Sequence, residues 1–117
     1  MNNKLTVSQI VEKMQLKTMS SIYEDKAVET GYCCDMLSWV ISHLTSNACW
    51  FTILSSMNVI AVASLSDCPI VVITESSGDI DQDVIQRAIT EQICLCTTEM
   101  DSFHAAKDLA RLIEEES

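Results

Sequence analysis

The sequence predicts an α/β fold built on a mostly parallel sheet of four to five strands. Three observations carry this. From Gly31 to Ala63 the chain alternates strand-like and helix-like segments, and twice an apolar run meets a short polar residue suited to a helix start, first Asp35 and then Asn58. Such alternation at short spacing implies βαβ units and a parallel sheet. Further on, Ile70-Val71-Val72-Ile73 is an unbroken apolar block, the pattern of a strand buried on both faces. Finally, the chain has only two glycines and one proline, which disfavours turn-rich all-β folds and any glycine-rich phosphate loop.

The elements follow in order. Residues 6–15 read as a short helix, with Thr6 as N-cap and Gln9 completing a capping box. Val7, Ile10, Val11 and Met14 share one face of it. Leu16 to Tyr23 reads as an edge strand or a loop, and Glu24-Asp25-Lys26 as a solvated turn. Ala27 to Cys34 is a strand. Asp35 then caps a helix whose apolar stripe is Met36, Leu37, Val40, Ile41 and Leu44. Ala48 to Leu54 is a buried strand. Val59 to Leu65 is apolar all round, so periodicity alone allows strand or helix. After Pro69 and its strand, Thr74 to Gly78 is a polar loop. Asp81 caps a helix with Val84, Ile85, Ala88 and Ile89 inward, and Asp83 suits its first turn. Ile93 to Cys96 is the last strand. Asp101 or Ser102 caps a final helix burying Phe103, Ala106, Leu109, Ala110 and Ile113, and the acidic end, 114–117, is expected to fray.

Composition narrows the function. At 117 residues the chain suits one domain, 1–117, with 48% hydrophobic and 21% charged residues, a globular balance. The net charge is −10 and falls mostly on one half: 59–117 holds three basic against twelve acidic residues, 1–58 four against five. So acidic a surface repels a phosphate backbone and an anionic membrane. The polar start, Met1-Asn2-Asn3-Lys4, reads as no signal peptide, and the longest apolar stretch, Ala48 to Leu65, is interrupted by Thr52, Ser55, Ser56 and Asn58. A membrane span needs roughly 20 mostly apolar residues. A cytoplasmic location follows, with six free thiols.

In a parallel sheet, ligands bind beyond the carboxyl ends of the strands. The loops there supply the candidate ligand-binding residues: Asp35 and Ser38 beside an expected switch point, Asn58, then Thr74, Ser76, Ser77 and Gly78, whose turn amides would cradle a small polar ligand, and Thr97. Asp35, Ser38 and Asn58 equally fit plain helix caps. Glu75 and Asp79 make an anion unwelcome in the third loop. Cys33 and Cys34 are adjacent and point to opposite faces of their strand. Cys94 and Cys96 share a face, but no Cys-x-x-Cys occurs and His43 and His104 lack ligand spacing, so no metal site and no cofactor is expected. No Walker lysine loop, Gly-x-Ser-x-Gly or His-Glu-x-x-His is present, and no catalytic residue is assigned.

The run Gly31-Tyr32-Cys33-Cys34-Asp35-Met36-Leu37-Ser38, the Asn58 to Ala63 segment, the strand into Thr74, the Asp81 to Ala88 helix and the Thr97 to Phe103 ending together resemble the DRTGG domain family, over roughly residues 5–113. That family occurs between nucleotide-sensing CBS domains and in some phosphate acetyltransferases, and is similar to the N-terminal domain of HPr kinase/phosphorylase. The chain looks most like small free-standing members found in anaerobic bacteria, sometimes beside hydrogenase subunits. The resemblance implies a three-layer α/β/α fold, a helix for Val59 to Leu65, and a homodimer; Trp39 or Met36, exposed on the second helix, would contribute to its face, because Trp and Met are favoured at interfaces. It also implies a non-catalytic regulatory or interaction module that senses a small ligand such as an adenine nucleotide. Departures are clear: Asp35-Met36 lacks the family's arginine, and Thr74-Glu75-Ser76-Ser77-Gly78 breaks its glycine pair. A missing arginine removes the obvious phosphate contact. The alternative is a cysteine-based metal or redox accessory protein of a hydrogenase-type electron-transfer complex.

Overall fold

The structure, a computed structural model, describes residues 4–116. Met1 to Asn3, read above as no signal peptide, and Ser117 of the acidic end lie outside the described residues. The element order is β1 (Leu5–Thr6), α1 (Val7–Lys13), β2 (Lys17–Thr18), β3 (Ala27–Val28), β4 (Thr30–Cys33), α2 (Leu37–His43), β5 (Ala48–Thr52), α3 (Met57–Leu65), β6 (Ile70–Ile73), α4 (Gln82–Thr90), β7 (Cys94–Thr97) and α5 (Ser102–Glu116).

Five strands form the main sheet in the order β2-β7-β6-β5-β4, and only β2 is antiparallel. The fold is therefore α/β with a mostly parallel sheet, as expected. The four parallel strands neighbour one another in chain order. Crossovers of one hand that advance in one direction must all pass the same face. Accordingly α2, α3 and α4 pack together against Ala48, Trp50, Val71, Ile73 and Leu95. The opposite face, with Cys49, Phe51, Ile70, Val72, Cys94 and Cys96, is covered by α1 and α5. Successive strand residues alternate between these two layers, as the pleat requires. The strand order never reverses among the parallel strands, so the expected switch-point crevice beside Asp35 and Ser38 does not form.

The N-terminal helix starts as its sequence dictates: Thr6 Oγ1 accepts the Gln9 amide and Gln9 Oε1 accepts the Thr6 amide at 2.9 Å. Several boundaries differ from expectation. The strand expected over 27–34 breaks at Glu29, and β3 pairs instead with β1 in a separate two-stranded sheet. The Leu16–Tyr23 stretch gives only the short edge strand β2. Beyond it Ser20, fully buried, takes over the pairing with its side chain: its hydroxyl donates to the Ile93 carbonyl at 2.9 Å and accepts the Leu95 amide at 2.8 Å. Val59–Leu65 is helical, and Val59, Ile60, Val62 and Ala63 are buried while Leu65 is exposed.

Helix faces also need correction. Met36 and Ile41 are more than half exposed, leaving Val40 and Leu44 as the buried anchors of α2. Phe103, expected inside, is 72% exposed, and α5 docks instead through Ala105 and Leu109. Ala110 is exposed as well. The cap of α5 is Asp101, whose carboxylate accepts the His104 amide at 2.8 Å. The acidic end is helical through Glu116, which pairs with Lys13 at 3.4 Å. No described helix is long and apolar enough to cross a membrane.

Candidate functional site

Because β4 to β7 run parallel, their carboxyl ends share one edge, and the loops that follow them meet there. Asp35 follows β4. It does not cap α2, whose N-cap is Met36 with no side-chain cap bond. The Asp35 carboxylate instead accepts the Thr52 hydroxyl at 2.7 Å and the Ile53 amide at 2.9 Å. It thus ties the first loop to the end of β5, beside the buried Trp50, whose indole N–H donates to the Cys34 carbonyl at 2.9 Å. Ser38 and Asn58 are exposed. Asn58 is not a cap either: that position of α3 is Ser56, and Asn58 lies within the first turn.

The loop after β6 is the centre of the edge. The expected cradle of amides is not available, because Thr74 N–H donates to the Thr52 carbonyl, Glu75 N–H to Met100 and Ser76 N–H to Thr98, each at 2.9 Å. The Gly78 amide donates to the Ser76 hydroxyl at 3.1 Å. These bonds hold Glu75 in a left-handed conformation, φ 53°, uncommon for a residue with a side chain. They also lock this loop to residues 98–100, so the edge is preorganised. Thr74 is buried, and its hydroxyl pairs with that of Ser102 at 3.0 Å.

What the edge offers is side chains, in two adjoining clefts. The first, about 250 Å³, is lined by Ile53, Ser55, Thr74, Ser76 and Ser77, with Glu75 and Asp79 on its wall. The second, about 270 Å³, is lined by Gln15, Lys17, Ser76, Ser77, Thr97, Thr98 and Glu99. Ser76 and Ser77 therefore stand between them. Thr74 lines the first cleft and Thr97 the second, with Ser76 and Ser77 in both, while Gly78, Asp35, Ser38 and Asn58 line neither. Thr97 is buried, with its hydroxyl 4.0 Å from the Met19 sulfur.

Sequence reasoning missed Lys17. Its place follows from the antiparallel pairing of β2, which sets Lys17 opposite Thr97 and so brings the start of that strand to the edge where the parallel strands end. No local pattern in Leu16 to Tyr23 encodes that partner.

The cysteines divide by burial. Cys49, Cys68, Cys94 and Cys96 are buried, Cys34 is half-buried and Cys33 is exposed. The Cys94 and Cys96 sulfurs lie 3.5 Å apart in the layer under α1 and α5. Sharing a hydrogen bond with Cys96, and then burial, push the Cys94 thiol up. Burial, the largest cause, pushes Cys49 well up and Cys68 up to about 12. Burial, and then the Asp35 charge, raise Cys33. Thiols shifted this way are poor nucleophiles and poor metal ligands. Among the described residues, no three His, Cys, Asp or Glu side chains are placed to hold a metal ion. His104 Nδ1 lies 2.8 Å from Asp101, and among the described residues no hydroxyl or thiol hydrogen-bonds its other ring nitrogen.

No family model and no curated protein matches the chain. Among solved structures it is similar to the crystal structure of the CBS and DRTGG domains of the regulatory region of Clostridium perfringens pyrophosphatase, complexed with its activator diadenosine tetraphosphate. The TM-score is 0.70 at 12% sequence identity, over 95% of this chain and 49% of that one. This chain thus spans about half the length of that protein's crystallised region. At such low identity the likeness speaks for architecture only, and what it establishes is a DRTGG-like α/β fold.

Proposed function

We propose that this chain is a non-catalytic regulatory module that senses a small ligand, an adenine nucleotide, at the carboxyl edge of its sheet. The observation that carries this reading is the fold shared with a regulatory region that was crystallised with a nucleotide activator. The preorganised edge supports it: two adjoining clefts share the Ser76 and Ser77 wall, and their loop is held by main-chain bonds. A non-enzymatic role fits the raised thiols of Cys49 and Cys68 and a His104 ring whose hydrogen-bond partner among the described residues is Asp101.

The test is thermal unfolding with AMP, ADP and ATP, with and without magnesium. A ligand at 100 times its dissociation constant stabilises by about 2.7 kcal/mol, a clear upward shift in Tm. No shift with any nucleotide would remove the ligand and leave a protein–protein adaptor.

In this reading the module acts as a homodimer in the cytoplasm. Trp39, 53% exposed and stacked on His43 at 4.1 Å, and Met36, 62% exposed, put an apolar surface on α2. Aromatic residues and Met are favoured at interfaces. A monomer at micromolar concentration in light scattering would defeat the dimer. No observation favours the metal or redox alternative, since burial disfavours the thiolate form it needs.

A further inference from the structure

We propose that Lys17 anchors the phosphate of a singly phosphorylated small molecule in the second cleft of the carboxyl edge. The inference rests on the ligand-sensing reading for the location of the ligand, but not for its adenine. Four of the seven basic side chains, Lys4, Lys13, Lys26 and Arg87, pair with carboxylates. Lys17 has no carboxylate within ion-pairing distance among the described residues, in a chain with a net charge of −10. Lys107 and Arg111 show no such pair among the described residues either, but Lys17 lines a cleft of about 270 Å³.

Its position is built. Lys17 lies across Gly78, which is left-handed at φ 96°, and a Cβ there would sit 2.6 Å from the Lys17 Nζ and 3.1 Å from its Cδ and Cε. Only glycine leaves room for this approach. Ser76, Ser77 and Thr98 line the same cleft as Lys17. The Thr98 oxygen accepts the Met100 amide at 3.3 Å, which leaves its proton to donate outward. Lysine is a point-charge phosphate binder, needing no bidentate geometry. With one lysine and one carboxylate, Glu99, in its lining, the cleft has charge for no more than one phosphate, and pockets for drug-sized ligands start at about 300 Å³. One phosphate on a sugar-sized body is the class that fits. The first cleft, walled by Glu75 and Asp79 with no lysine or arginine in its lining, does not suit it.

The experiment is calorimetric titration of the full chain with AMP, ribose 5-phosphate, inorganic phosphate and adenosine, for wild type, Lys17→Met and Gly78→Ala. Lys17→Met keeps most of the aliphatic stem and removes the charge. Gly78→Ala keeps the charge and displaces it. The expected result is that phosphate-bearing probes bind wild type and lose about 10- to 100-fold in both variants, the worth of a hydrogen bond to a charged group. Weak adenosine binding, where seen, stays unchanged. Unchanged affinity in Lys17→Met, or no binding of any phosphate-bearing probe at millimolar concentration, overturns the anchor. If AMP binds wild type and Lys17→Met equally, nucleotide sensing stands and the anchor fails. If ribose 5-phosphate binds as well as AMP and depends on Lys17, the anchor stands and adenine sensing fails.

Discussion

Asp35 and Thr52 are joined across one β–α–β crossover: the Asp35 carboxylate receives the Thr52 hydroxyl at 2.7 Å. Thr52 is fully buried, and the same carboxylate oxygen takes the Ile53 amide. The residue that its sequence context suits to a helix cap is thus used to close β4 against β5. Asp35→Ala strands a buried hydroxyl and an amide and is expected to cost about 1.5–3 kcal/mol. A double-mutant cycle with Thr52→Val, read by urea unfolding, gives a coupling of about 1 kcal/mol if the pair is real. Additive effects would show that Asp35 stabilises the helix alone.

Ser20 carries more than an average surface serine. Its hydroxyl satisfies one carbonyl and one amide of the β7 segment in a fully buried position. Ser20→Ala is expected to destabilise by about 2 kcal/mol. Amide hydrogen exchange at Leu95 should accelerate with it, whereas a purely local defect would leave Leu95 protected.

At Gly31 the final helix comes very close to the edge strand. A Cβ there would lie 2.9 Å from the Leu109 Cδ2 atom, and Leu109 is buried. Gly31→Ala is expected to cost about 1–3 kcal/mol by overpacking β4 against α5. Combining it with Leu109→Val should recover part of that loss in thermal unfolding. No recovery would place the strain elsewhere.

Two exposed carboxylates, Glu29 and Asp101, and the half-buried Glu91 shape the response to acid. Asn47, and then Lys4, hold Glu29 low; Ser64, and then Arg87, hold Glu91 low; the His104 amide, and then its ring, hold Asp101 low. Each ionises more readily folded than unfolded. Their contribution is therefore complete above the ordinary carboxylate value of about 4, and is lost as pH falls through the lowered folded values. Urea midpoints measured from pH 7 down to 3 should fall at the acid end. The triple variant Glu29→Gln, Glu91→Gln, Asp101→Asn should show a shallower fall, and an identical profile would contradict these assignments.

Much of the architecture was legible in the chain. The apolar block Ile70–Ile73 encodes a strand buried on both faces, and Thr6 with Gln9 encodes a helix start, because burial and capping act over a few residues. The alternation from Gly31 to Ala63 encodes parallel βαβ winding, since short connections leave few topologies. Within the candidate edge, the same logic placed Thr74, Ser76, Ser77, Gly78 and Thr97 together through the shared direction of their strands. What local pattern could not supply was partnership. Asp35 looks like a cap until Thr52, 17 residues on, claims its carboxylate. Phe103 looks like core until Ala105 and Leu109 set the docking face of α5. The loop amides look free until residues 98–100 accept them. Lys17 is an ordinary strand residue until β7 draws it to Gly78. Periodicity and capping are properties of neighbours in sequence and could be read there. Hydrogen-bond partners, helix rotation and the reach of one lysine depend on which segments meet in space, and only the tertiary structure decided them.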